Sequence, residues 1–157
     1  MMSRKKFKKI LLILLIVFIA IQFIQPAYNK SEQVLPTDIA NMYYIPENIK
    51  SLLQNACYDC HSNNTDYPWY VHIQPIGWMM TRHIKNGKEK INFSEFGSYT
   101  VRRQISKLKD VSDQVKDNDM PLNSYKLMHK KARLSKEEKT LLTSWANKMA
   151  DSLSAYK

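Results

Sequence analysis

Five consecutive residues, Cys57-Tyr58-Asp59-Cys60-His61, restrict what this chain can fold into more than any other stretch. Two cysteines three apart can each add through sulfur to one vinyl group of a haem, and a histidine directly after the second is then held under the iron as its proximal ligand. The pattern C-x-x-C-H is the signature of c-type haem attachment. The chain has 2 cysteines, both in this motif, so no other residue competes for them. A structural disulfide, half a zinc site and a thioredoxin-like dithiol are the other chemistries open to such a pair. A zinc site usually wants a second Cys or His pair at matching spacing, and a thioredoxin dithiol wants a βαβ context. The sequence supplies neither.

The 157 residues suffice for one domain with accessories, and the low Gly content of 3, with little β-type alternation, favours helices. The net charge of +10 resembles a nucleic-acid signal until it is located. Arg4, Lys5, Lys6, Lys8 and Lys9 carry half of it, and no acid falls in the first 29 residues. The moderate excess that remains suits an acidic protein partner or an anionic membrane surface, not nucleic acid.

From Ile10 to Ile24 the residues are apolar except Gln22 and follow the basic cluster, as in an export signal. No A-x-A-like cleavage site follows the apolar core, so retention as a signal anchor is expected. Residues 1–27 are therefore read as a transmembrane helix, although the run is short of the ~20 residues a full span needs. The positive flank stays in the cytoplasm, which sends the rest of the chain to the periplasmic or extracytoplasmic side. Such a compartment tolerates paired cysteines. Residues 28–45, with Pro36 and little periodicity, read as a tether ending in a partly ordered approach segment, and 46–157 as the haem-binding domain.

In that domain Pro46 suits a first helical position, and Ile49, Leu52, Leu53 and Ala56 recur at helical spacing, so a short helix should deliver the chain into Cys57. After the motif, a polar loop leads to Tyr67, Trp69 and Tyr70. Tyr67, Trp69 and, further on, Trp78 are candidates to pack on a haem, and each is equally suited to plain core packing. Pro75 should open and Gly87 close a helix with Ile76, Met79, Met80 and His83 on one face. Asn92 to Ser98 reads as a loop with Phe93 and Phe96. Val101, Ile105, Leu108 and Val115 mark an amphipathic helix whose cations form a solvated face. Asn123 or Ser124 should cap a short helix through Tyr125, Met128 and His129. Ser135 with Glu138 forms a capping box for a last helix that buries Leu141, Leu142, Trp145 and Met149.

Iron needs a sixth ligand if the protein only carries electrons. Met120 is the candidate distal ligand, because it lies in a loop break stiffened by Pro121, and a thioether opposite histidine raises the potential. His83 is the alternative, and His72 and His129 are further imidazoles.

These residues together, from Cys57 through Asn63, Pro68-Trp69-Tyr70, His83 with Gly87, Asn92-Phe93-Ser94, Met120-Pro121, Tyr125, His129, Leu134-Ser135 and Trp145, resemble the small bacterial haem-binding domain family. Its members are short, often membrane-anchored proteins similar to monohaem class I cytochromes c. The resemblance covers about Ile45 to Ala150. It implies one covalent haem c on Cys57 and Cys60, His61 as proximal ligand, and Met120 as distal ligand by analogy with the Met-Pro loop of those cytochromes. The long aromatic section containing His83 departs from the class I pattern.

The expectation is an all-α, cytochrome c-like domain around one haem, with the helix before Cys57 packed across the helix containing Trp145. Such a protein would pass single electrons outside the cytoplasmic membrane to a redox partner. A haem-based redox or gas sensor with an open sixth position is the second reading. A two-haem peroxidase is excluded for a chain with one C-x-x-C-H, and no enzyme activity is expected.

Overall fold

The structure, a computed structural model, describes residues 3–31 and 33–155. Eight α-helices follow in order: α1 Arg4–Ile21, α2 Ile39–Met42, α3 Glu47–Ala56, α4 Tyr58–His61, α5 Ile76–Lys90, α6 Val101–Lys116, α7 Asn123–Met128 and α8 Lys136–Ala155. Short 3-10 turns at Trp69–His72, Phe93–Ser98 and Lys130–Ala132 join them. The described residues contain no strand beyond one isolated bridge between Lys30 and Asn64, so the protein is all-helical.

The apolar spacing explains most elements. Ile49, Leu52, Leu53 and Ala56 line the buried face of α3, which Pro46 precedes as N-cap. The Ser135–Glu138 capping box forms as a reciprocal pair: Ser135 N–H donates to Glu138 Oε2 at 2.7 Å, and Glu138 N–H to Ser135 Oγ at 3.1 Å. That pair satisfies two donors that a helix start otherwise leaves open. α8 packs chiefly along α6 and also touches α3, so the expected crossing of the motif helix and the terminal helix is present but secondary. Ile39, Ile49, Leu53, Phe93, Phe96, Leu108 and Leu142 form the fully buried centre. Burying each such side chain contributes about 1.5–3 kcal/mol.

Three expectations are corrected. Gly87 does not end α5, which continues to Lys90 because the glycine meets another backbone there. Neither Asn123 nor Ser124 caps α7; Leu122 is its N-cap and offers no side-chain acceptor. Residues 28–45 are not a free tether. Ser31 N–H donates to Asn63 O and Thr65 N–H to Asn29 O, while Asn29 reaches Ser62 O and Thr65 Oγ1 at 2.9 Å each. Thr37 and Gly97 bond through Gly97 N–H and Thr37 O, which seats the buried Ile39 of α2 against the 3-10 turn at Phe93–Ser98.

The N-terminal expectation also changes. Among the described residues no helix is long and apolar enough to cross a membrane. α1 begins with Arg4, Lys5, Lys6, Lys8 and Lys9, and its uncharged part, Ile10 to Ile21, covers roughly 18 Å at the helical rise. A bilayer's hydrocarbon core is about 30 Å. The helix stops at Ile21 because Gln22 turns to the domain: Gln74 N–H donates to Gln22 Oε1 at 2.8 Å, and Gln22 Nε2 to Gln74 O at 3.2 Å.

Candidate functional site

The apolar stripe of α3 drives its last turn into the core, and Cys57 N–H closes that turn on Leu53 O at 2.9 Å. A kink at Cys57 starts α4, one turn in which His61 N–H donates to Cys57 O at 3.0 Å. Both thiols are free and half-buried on this turn. Burial pushes the Cys57 thiol up to about 12, helped by the neighbouring Cys60, and the Cys60 thiol up to about 11, helped by Asp59. Such thiols stay protonated at neutral pH, the opposite of the lowered pKa of an exchange-active dithiol. Among the described residues no group of three or more His, Cys, Asp or Glu converges as a metal cage would require, which removes the zinc alternative of its missing ligands.

The His61 ring is held from behind. Its Nδ1 lies 2.9 Å from Gly87 O and 3.1 Å from Ile91 O. Both partners are carbonyls, which only accept, so Nδ1 carries the proton and the neutral ring keeps the lone pair of Nε2 for a ligand. Burial lowers the His61 pKa, and the two carbonyl bonds offset part of that fall, so the ring is neutral at pH 7. Such a bond behind a metal-binding imidazole fixes its tautomer and orientation. Ile91, just past the end of α5, has no donor within that helix, so His61 also satisfies an orphan carbonyl.

Close packing makes this possible. A Cβ on Gly87 would stand 2.5 Å from Cys60 O and 3.3 Å from Cys60 Cβ, so α5 approaches α4 as no other residue would allow. Phe93 supports the turn from the core, stacked on Tyr58 and edge-on to His61 at 6.4 Å between centroids. Beyond the motif, Asn63 N–H donates to Ser94 Oγ, and Asn92 Nδ2 to Asn63 Oδ1.

Asp59, inside the motif, is fully engaged. Its carboxylate accepts from Tyr125 O–H at 2.6 Å and from Asp66 N–H at 3.0 Å. Burial and the Asp59 charge push the Tyr125 pKa well above the usual phenol range. The Tyr125 ring stacks on His129 at 4.0 Å, and Tyr70 O–H lies 3.4 Å from His129 Nε2. His129 Nδ1 meets Tyr125 O at 3.2 Å, which gives this ring its own protein partners at both nitrogens.

The other sequence candidates make contacts of their own. Tyr67 O–H accepts from Asn29 N–H at 2.8 Å and lines a groove of about 440 Å³ between residues 27–29 and α5. Trp78 Nε1 donates to Ile24 O at 2.9 Å. Both rings therefore serve to hold the N-terminal segment on the domain. Trp69 is 73% exposed. His72 pairs with Tyr28 O–H. His83 is half-buried on α5, one turn before Gly87. Met120 is half-buried in the turn after α6, where its N–H and that of Asp119 both donate to Gln114 O. Asn118 enters this turn in the left-handed region at φ 66° and is held by Lys139 Nζ of α8.

Gly87, Ile91 and Tyr125 complete the site; the sequence reading named Gly87 as a helix end and Tyr125 as a helix residue, and foresaw none of the three in this role. Gly87 did give a signal, a glycine inside an otherwise helical pattern, which marks a close approach as readily as an end. Ile91 acts through its backbone, and Tyr125 meets Asp59 across 66 positions of sequence, so neither leaves a local pattern.

A fixed imidazole with a free Nε2 and two free thiols on one turn fit an iron porphyrin better than the other ligands considered for this motif, and together with the fold they define an all-helical haem-binding protein. Residues 16–148 match the family model of the haem-binding domain, and the chain belongs to that family, with haem as its cofactor. The match begins within α1 and includes the whole segment bonded to the domain. No curated protein and no solved structure matches the chain.

Proposed function

We propose that the protein is a monohaem c-type cytochrome that carries single electrons outside the cytoplasm. The observation that carries this reading is the His61 ring, locked at Nδ1 by Gly87 O and Ile91 O with Nε2 free beside two unpaired thiols. Cys57 and Cys60 would hold the haem through thioether bonds, and His61 would ligate its iron through Nε2. The bound haem supplies a one-electron couple. The protein's own part is to fix the imidazole, exclude water with Phe93, Tyr58 and α5, and keep the turn rigid through Asp59.

Met120 would supply the second side-chain ligand to the iron in this reading. His83 lies one turn before Gly87 on α5, the helix whose carbonyl already holds Nδ1 of His61, which speaks for Met120 over His83. Met120 lies outside that helix and five residues before Tyr125, which touches the motif. Membrane attachment is through α1, whose residues from Ile10 to Ile19 are all apolar and exposed, with five cations beside them for anionic headgroups. Export of the domain follows from the basic-then-apolar leader and from the chemistry of paired thiols.

Absorption spectra of the purified full-length protein in both redox states test the reading. The expected results are a haem that survives acid-acetone extraction and a reduced form slow to bind carbon monoxide. Complete and fast carbon monoxide binding at neutral pH would favour a sensor with an open sixth position.

A further inference from the structure

Outside its first 29 residues the chain owes its whole net charge to one stretch. Residues 120–136 contain Lys126, Lys130, Lys131, Arg133 and Lys136 and no acid, while the rest of 30–157 holds fourteen basic and fourteen acidic side chains. The ion pairs among the described residues, Lys50–Glu47 and Lys107–Asp110, lie elsewhere. Arg133 folds back on α7, where Nε donates to Lys126 O at 2.8 Å, so its charge stays on the same face as the lysines.

This stretch also exposes apolar side chains. Leu127 is 72% and Met128 56% exposed; Trp69, at 73%, packs edge-on to Tyr70, whose ring in turn meets His129, the residue after Met128. An apolar centre with a charged rim is the usual anatomy of a transient protein interface. The face abuts the haem-attachment turn, since Tyr125 of α7 bonds Asp59 between the two cysteines.

We propose that α7, the 3-10 turn Lys130–Ala132 and Trp69 form the docking surface for an acidic redox partner protein. The inference rests on the electron-transfer reading and adds where the electron leaves. Lysines steer an acidic surface during encounter, and Trp69, Leu127 and Met128 seal the contact against water. A lipid surface fits less well, because seating this face in a bilayer would close the edge nearest the haem turn to any partner outside the membrane.

The test uses the reduced, full-length haem protein in neutral-lipid vesicles, oxidised in turn by hexacyanoferrate(III), by an acidic one-copper protein and by a cationic cobalt complex. K130E/K131E should slow the two negatively charged oxidants by about tenfold at low salt, spare the cationic one, and leave the haem spectrum unchanged. The exposed α6 variant R102E/K109E should have little effect. Equal effects of the two variants, or none from K130E/K131E, would overturn the surface while a haem that still cycles leaves the electron-transfer reading standing. A haem that does not cycle with any oxidant would defeat both. Protection of Lys130 and Lys131 from acylation by anionic vesicles, with no protection by the acidic protein, would also overturn the proposal and give the face to lipid.

Discussion

The turn that carries Cys57, Cys60 and His61 and the turn that carries Met120 are built to different tolerances. The first is gripped from three directions: α3 runs into it, α5 presses on it at Gly87 and supplies two carbonyls to His61, and α7 ties down Asp59. The second is a helix end folded over Gln114 O, with Asn118 pinned to α8. The difference teaches that the motif turn is preorganised by packing from several helices, whereas the Met120 turn is held by backbone bonds to one carbonyl and one side-chain tie to α8.

The comparison breaks most severely if the first turn is damaged. C57S/C60S should leave haem fully extractable by acid acetone, and H61A should remove the proximal ligand from the spectrum while covalent haem remains. Gly87→Ala should be next, because its Cβ has no room against Cys60 O. Overpacking of that kind costs about 1–3 kcal/mol, and the His61 hydrogen bonds should weaken with it, seen as a lower melting temperature and a shifted potential.

Met120→Ala should keep the haem and most of the stability but remove the thioether signature and lower the potential. If the spectrum and potential hardly change, Met120 is not the distal ligand. Tyr125→Phe should cost about 1.5–3 kcal/mol by leaving Asp59 without its phenol donor, measured by denaturant unfolding.

The smallest effect expected is a pH slope in the haem-free protein. His61 has a lowered pKa in the folded state, so the unfolded chain binds its proton more readily. That contribution is present above the ordinary histidine value and is lost as pH falls through the folded one. Stability of the haem-free chain should therefore decline below about pH 6.5, and H61A should flatten that part of the curve.

Much of this was legible in advance where information is local. The spacing of Ile49, Leu52, Leu53 and Ala56 specified α3, and Ser135 with Glu138 specified the start of α8, because each pattern is completed within a turn or two of helix. Gly87 misled for a physical reason: a glycine read alone says that a side chain is absent, not whether the space serves a helix end or another backbone. Residues 28–45 misled because their anchoring lies in bonds to partners about 35 positions away, such as Asn29 to Thr65. Tyr67 and Trp78 carried aromatic surface that suited a haem, and the fold spent their polar atoms on Asn29 and Ile24 instead.

By sequence alone, Cys57, Cys60 and His61 pointed to haem, the cofactor of the family, since two thiols and an imidazole at that spacing carry a haem-attachment signature whatever surrounds them. The orientation of the ring came from elsewhere. Gly87 O belongs to α5 and Ile91 O to the residue just past its end, both distant in the chain, and only when α5 is packed on α4 do they meet Nδ1 and leave Nε2 as the ring's lone-pair atom. Side-chain identity is written residue by residue, but the carbonyls that aim it belong to every sequence alike, and packing alone selects which of them do so.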